Sequence, residues 1–235
     1  MSFMRLKRLF CLPVLVFLAS RFGVALAAPL IQNPSPTAVL RPNLREVLRG
    51  IESRYNRLKS MKAQFQQLVR QGPGVIRREE GQLYLSKPGR MRWEYESPEA
   101  KLFVTDGKTV ILYLPEENRV MESAVKETED IKAPLAFLLG RLDFDEQFQK
   151  METSPYFTPT EEGNFVFKAY SKQLAERMEW VLFEVTPEYE IRRVVARERG
   201  GLETEFQFKG MESNPQLADS LFQVTAPEGA EVVRD

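Results

Sequence analysis

The chain has 235 residues, with 33 basic and 33 acidic side chains, no histidine and one cysteine, Cys11. The absence of histidine removes the usual general base near neutral pH and, with a lone thiol, the Ser-His and Cys-His nucleophile pairs, the commonest zinc ligands and any disulfide framework. Metal-free carboxylate chemistry survives this exclusion, so the acidic clusters need separate inspection.

The chain opens "MSFMRLKRLFCLPVLVFLASRFGVALAAPL". Arg5, Lys7 and Arg8 precede an apolar run from Leu9 to Ala19, and "ALA" at 25–27 supplies a small-x-small site. This pattern is that of a secretory signal peptide over 1–27, cleaved after Ala27 with Ala28 as the near alternative. Arg21 and Gly23 interrupt the apolar run, which argues against a membrane anchor. Removing 27 residues leaves 208 and takes four cations but no acids, so 29 basic side chains face 33 acidic ones. A mildly acidic exported protein lacks the concentrated positive surface that a phosphate backbone requires, so nucleic acid is not an expected partner. Cys11 falls inside the signal without a lipobox, so the exported chain is expected to be soluble, thiol-free and not lipid-anchored.

Residues 28–42 are Pro-rich and expected to be a mobile lead-in, and 43–235 read as a single domain. Leu44, Val47, Leu48, Ile51, Tyr55 and Leu58 recur at helical spacing, with Asn43 placed as N-cap. This predicts an amphipathic helix that lies on an apolar surface.

From Met61 the period changes from about 3.6 to 2, the mark of strands with one face toward a core. Strand patterns follow in "MKAQFQQLV", "GQLYLSK", "RMRWEY", "KLFVTDGKTVILYL" with a hairpin turn at Asp106-Gly107, and "NRVMES". "APLAFLLGR" at 133–141 predicts a second helix, with Pro134 in its first turn and Gly140 at its end. Strands resume in "FDEQFQKME", "NFVFKAY", "MEWVLFEVT", "EIRRVVARER" and, past a Gly200-Gly201 turn, "ETEFQFKGM". The tail from Asn214 predicts a short helical turn and a final extended stretch. The predicted fold is mainly β: one curved antiparallel sheet of about ten or eleven strands, an unclosed half-barrel, with two helices over its inner face.

The acidic pairs Glu79-Glu80, Glu116-Glu117 and Glu161-Glu162 sit in or beside turn-like composition, where they read as solvated hairpin ends. Neighbours on a strand point to opposite faces and do not converge as an acid/base pair. "DFDE" at 143–146 lacks the glycine and the later glutamate of a calcium loop, and no P-loop or GxGxxG fingerprint is present. An enzyme, a metal site and a cofactor are therefore not expected. In "SKPGRMRWEY" the basic residues interleave with aromatics because a pleat alternates: Met91, Trp93 and Tyr95 face one side, Arg90, Arg92 and Glu94 the other, wet side.

"KPGRMRWEY", "VTDGKTVILYLPEENRV", "PLAFLLG" and the closing "FQVTAPEGAEVV" together resemble the LolA family of periplasmic outer-membrane lipoprotein carriers over nearly the whole exported chain. The resemblance implies a half-barrel with a helical lid over a cavity for acyl chains, in a periplasmic monomer that acts as a chaperone in lipoprotein transport. It implies cargo received from an inner-membrane ABC lipoprotein-release transporter and handed to an outer-membrane acceptor. In that family a basic residue before the proline, commonly arginine, helps hold the lid shut; the matching position is Lys87, a point charge without arginine's planar fork. A cavity position that is commonly phenylalanine is here Met91, flexible and polarizable.

On the apolar phase, Phe65, Leu83, Leu85, Met91, Trp93, Phe103, Leu112 and Leu114 are expected to line the cavity, with Leu48, Ile51, Leu135, Phe137 and Leu138 from the lid helices. Two readings compete with the lipoprotein carrier. One is a shuttle for another envelope lipid, such as a glycolipid, a hopanoid or a polyene lipid; the other is a lipid- or lipoprotein-sensing regulatory domain.

Overall fold

A computed structural model describes residues 43–124 and 141–234. Helix α1 runs Leu44–Arg57. Asn43 caps it as expected: its backbone is extended and its Oδ1 accepts from the N–H of Glu46 at 2.9 Å. Glu46 in the first turn and Arg54 and Arg57 in the last complement the helix dipole. The helix buries Val47, Leu48, Ile51 and Tyr55, the stripe that the spacing predicts.

Twelve strands among the described residues make one sheet. They are β1 (Ser60–Gln71), β2 (Gly74–Ser86), β3 (Arg90–Ser97), β4 (Lys101–Thr105), β5 (Thr109–Leu114), β6 (Arg119–Ala124), β7 (Phe148–Glu152), β8 (Phe165–Ser171), β9 (Met178–Val185), β10 (Ile191–Glu198), β11 (Leu202–Ser213) and β12 (Glu231–Arg234). Their spatial order is β12-β6-β5-β4-β3-β2-β1-β11-β10-β9-β8-β7, so β12 and β7 form the two edges and the sheet is unclosed. The β4–β5 turn follows the expected chemistry: Asp106 Oδ1 accepts from the N–H of Lys108 and of Thr109, both at 2.8 Å, and Gly107 takes φ 95°.

Ring contacts measure the curvature. Trp93 on β3 and Phe206 on β11 lie three strand spacings apart in the sheet, about 14 Å if it were flat. Their ring centroids are 5.3 Å apart, so the strands curl toward each other on that face. One apolar cluster then collects residues from α1 and from β1 to β5 and β7 to β11.

The structure departs from the sequence expectation in four places. The twelfth strand exceeds the expected ten or eleven and pairs parallel with β6, through Val232 opposite Val120, so the sheet is not wholly antiparallel. The predicted strand "FDEQFQKME" begins as a helical turn, α2 (Phe144–Gln147), because Asp143 caps the N–H of Glu146 and places Phe144 and Phe148 four residues apart on one buried face. The outer side of β3 is partly covered rather than wet. A 3-10 turn over Asp219–Phe222 docks there, with Phe222 buried, the Arg90 guanidinium 5.2 Å from its ring centre and Arg92 donating to the Leu221 carbonyl at 2.9 Å. Fourth, Glu79 is buried and ion-paired with Lys101, not solvated. The predicted helix over 133–141 lies outside the described residues, apart from Arg141.

Candidate functional site

The inner face assembles in strand register. Leu83 of β2 opposes Trp93 of β3, which opposes Phe103 of β4, which opposes Leu112 of β5. One step along, Leu85 opposes Met91, which opposes Thr105. Phe65 of β1 sets its ring edge-on to Trp93 at 4.6 Å and to Tyr95 at 5.0 Å. Edge-on contacts pair ring hydrogens with ring faces and add to the area buried. Phe65, Leu83, Leu85, Met91, Trp93 and Phe103 are all buried, as are Leu48 and Ile51 of α1; Leu112 packs partly buried against the cluster. Leu114 shares the phase of Leu112 but is half-buried and outside the cluster. Leu135, Phe137 and Leu138 lie outside the described residues.

Polar contacts hold α1 asymmetrically. Toward the β7–β11 half, Asn56 Nδ2 donates to the Leu142 carbonyl while Asn56 Oδ1 accepts from the Leu142 N–H, both at 2.8 Å. Glu52 accepts from the N–H of Phe144 at 2.8 Å, and Arg54 pairs with Glu190 at 2.9 Å. The Tyr55 hydroxyl accepts from the N–H of Ile191 at 3.0 Å and donates to Met211 Sδ. Burial pushes the Tyr55 phenol well above its ordinary value, so it stays a neutral hydroxyl. Toward the β1–β6 half, one side-chain bond to α1 is present among the described residues: Lys87 Nζ donates to the Tyr55 carbonyl at 2.9 Å. Lys87 is half-buried, and burial lowers its ammonium below the ordinary 10.5.

At the far end of the same face, toward the β1–β2 hairpin, the lining turns polar. Lys101 passes over the Tyr95 ring, 4.1 Å from its centre, to pair with Glu79. The Tyr95 hydroxyl donates to Gln67 Oε1 at 2.9 Å. Burial, reinforced by the Glu79 charge, raises Tyr95 far above the ordinary phenol. The sequence reading missed this group. Glu79 shares the inward phase of Gly81, Leu83 and Leu85, so counting by two along β2 would have found it. Gly81 fits here because a Cβ would lie 1.8 Å from the Glu94 carbonyl oxygen.

The other buried carboxylates are tied down. Glu184, fully buried, takes the Thr160 N–H and hydroxyl, the Glu161 N–H and the Asn164 amide on one oxygen, and Arg193 at 2.8 Å on the other. Glu205 pairs with Arg70 at 2.5 Å. Among the described residues, no group of three or more Cys, Asp or Glu is placed to hold a metal, and no helix is long and apolar enough to cross a membrane. A hollow of about 250 Å³ between Gln64, Gln66, Gln82, Glu96 and Lys209 is polar and unsuited to hydrocarbon.

Residues 56–225 match the family described as outer membrane lipoprotein carrier protein LolA. An outer-membrane lipoprotein carrier protein of Methylobacillus flagellatus is 29% identical over 188 residues, covering 78% of this chain and 88% of that one. One from Nitrosomonas europaea is 27% identical over 199 residues, covering 83% and 92%. An uncharacterized conserved protein of Thermus thermophilus superposes with a TM-score of 0.52 at 16% identity, over 81% of this chain and 98% of that one, which is a likeness of fold.

Proposed function

The chain belongs to the LolA family of outer membrane lipoprotein carrier proteins, and on that premise we propose that it shields lipoprotein acyl chains against its apolar inner face and ferries them from the inner to the outer membrane. The observation that carries this reading is the one-sided mooring of α1. Glu52, Arg54, Tyr55 and Asn56 fasten the helix to the β7–β11 half and to the segment that enters α2, whereas Lys87 alone among the described side chains bonds it to the β1–β6 half. Parting that bond lets α1 swing about its fixed side and uncover the surface of Phe65, Met91, Trp93 and Phe103, without breaking the sheet.

Such a cover answers a physical need. Hydrocarbon exposes about 0.8 kcal/mol per methylene to water, so three chains of about fifteen carbons cost on the order of 30 kcal/mol to move unaided. A carrier has to offer a comparable apolar surface and still let go, which a hinged cover permits and a locked core does not. The N-terminal signal pattern supports a periplasmic place of work. Loading from an inner-membrane ABC lipoprotein-release transporter and release to an outer-membrane acceptor complete the proposed cycle. Shielding and release of this kind require no bond to be made or broken.

Mass spectrometry of material co-purified with the chain from the periplasm tests the reading, together with transfer of that material to acceptor membranes. Acylated protein that moves to the acceptor is the expected result. Free glycolipid or another non-protein lipid alone would move the chain to a different cargo. Tight capture of a membrane regulator with no transfer would make it a sensor.

A further inference from the structure

Glu79 is 7% exposed, and its Oε2 is buried with no hydrogen-bond partner, while Oε1 pairs with Lys101. A buried carboxylate oxygen left without a donor is costly, and a donor brought to it recovers that cost. This one stands directly beyond the aromatic group of Phe65, Trp93 and Tyr95. Tyr95 contacts Phe65 at 5.0 Å and also carries the Lys101 ammonium over its ring. Tyr95 spends its own hydroxyl on Gln67, so it does not supply the missing donor. An acyl chain laid on the aromatic group therefore ends at a polar spot that lacks one N–H or O–H donor.

We propose that Glu79, backed by Lys101, is a polar subsite of the carrier face that accepts the amide N–H at the root of an N-acylated cargo. The inference rests on the carrier reading and extends it to the group that joins the chain to the peptide. An ester linkage has no proton to offer and leaves Glu79 Oε2 unpaired in the complex, so the subsite distinguishes amide-linked from ester-linked acyl chains. A charge-assisted hydrogen bond of this kind corresponds to about a tenfold preference.

The test measures binding of three probes to the purified chain. They are a tripalmitoylated cysteinyl peptide, the same molecule with its N-acyl amide N–H replaced by an ester oxygen, and dipalmitoyl phosphatidylethanolamine. The wild-type chain is expected to prefer the amide to the ester by about tenfold, and Glu79→Gln to reduce that ratio below about threefold. If Glu79→Gln does not fold, a Glu79→Gln/Lys101→Met double variant removes both charges and serves instead. An amide-to-ester ratio near one in the wild type, or a ratio untouched by the variant while only its Tm changes, overturns the subsite and leaves Glu79-Lys101 a structural pair. A Glu79 dependence confined to phosphatidylethanolamine also overturns it, in favour of an ammonium headgroup. If the wild type takes up none of the three, the carrier reading falls with the subsite; equal uptake of amide and ester probes removes the subsite alone.

Discussion

The ammonium of Lys87 reaches the carbonyl oxygen of Tyr55 at 2.9 Å, the same oxygen that accepts from the N–H of Leu58 where α1 ends. The contact does two jobs at once: it satisfies a terminal helix carbonyl and it ties α1 to the β2–β3 turn. Because Lys87 is half-buried, its charge is partly screened, and the bond is worth about 1 kcal/mol. Replacing Lys87 with Ala should lower Tm by a few degrees and raise spontaneous uptake of a fluorescent fatty-acid probe by about fivefold, the factor that about 1 kcal/mol of cover closure represents. Lys87→Arg should keep the cover closed, since a guanidinium can reach the same oxygen. Probe uptake by Lys87→Ala equal to that of the wild type, alongside the lowered Tm, would leave Lys87 a helix cap with no part in closure.

Met91 separates a lined face from an open one. It is 3% exposed, and its strand partners are Leu85 and Thr105, so a glutamate there enters a dry, packed surface with an uncharged residue on either side. The substitution Met91→Glu should cost at least about 3 kcal/mol near neutral pH. Burial raises the folded-state pKa of such a carboxyl above its unfolded value of about 4.3. The penalty is therefore small in acid and grows as pH rises through the unfolded value. Denaturant unfolding at pH 4 and pH 7 should show Met91→Glu closest to the wild type in acid, with acyl-probe uptake lost at both. A variant as stable as the wild type at pH 7 would mean that Met91 faces open space in solution and that the cover rests open.

The alternation of "RMRWEY" and the stripe of α1 are legible in the sequence because each depends on one element's own period against a single core. Phe144–Gln147 reads as strand because "FDEQF" lies inside a stretch that continues as β7 and its two phenylalanines four apart share a face on a strand as well as on a helix; the cap at Asp143 makes it helical. The moorings of α1 are not legible, because Asn56 meets Leu142 across 86 residues and no local rule pairs them. The same holds for Phe222, which the tail carries onto the outer face of β3. Glu79 is a different case: an acidic pair suggests a turn, whereas the pleat phase of β2 places the first of the two inside.

Glu184 gives the fold its clearest dependence on acid. Burial alone would raise its pKa, but the Asn164 amide, the Thr160 hydroxyl and N–H and the Arg193 guanidinium favour the charged form enough to bring it below the ordinary 4.5. A depressed carboxyl binds its proton less readily in the fold than in the unfolded chain, so its stabilising contribution is complete above 4.5 and is lost as pH falls through the lowered folded value. The bonds it anchors fasten the 160–164 segment over β9. Glu184→Gln should destabilise the chain near pH 7 by about 2 kcal/mol, since Arg193 then loses its buried counter-charge. It should also flatten the fall in stability below pH 4.5. The check is a series of urea unfolding curves from pH 7 down to pH 3 on both proteins, in which the gap between them narrows with acid. A constant gap across that range would show that Glu184 binds its proton equally well in the folded and unfolded chain, so that its bonds to the 160–164 segment do not depend on its charge.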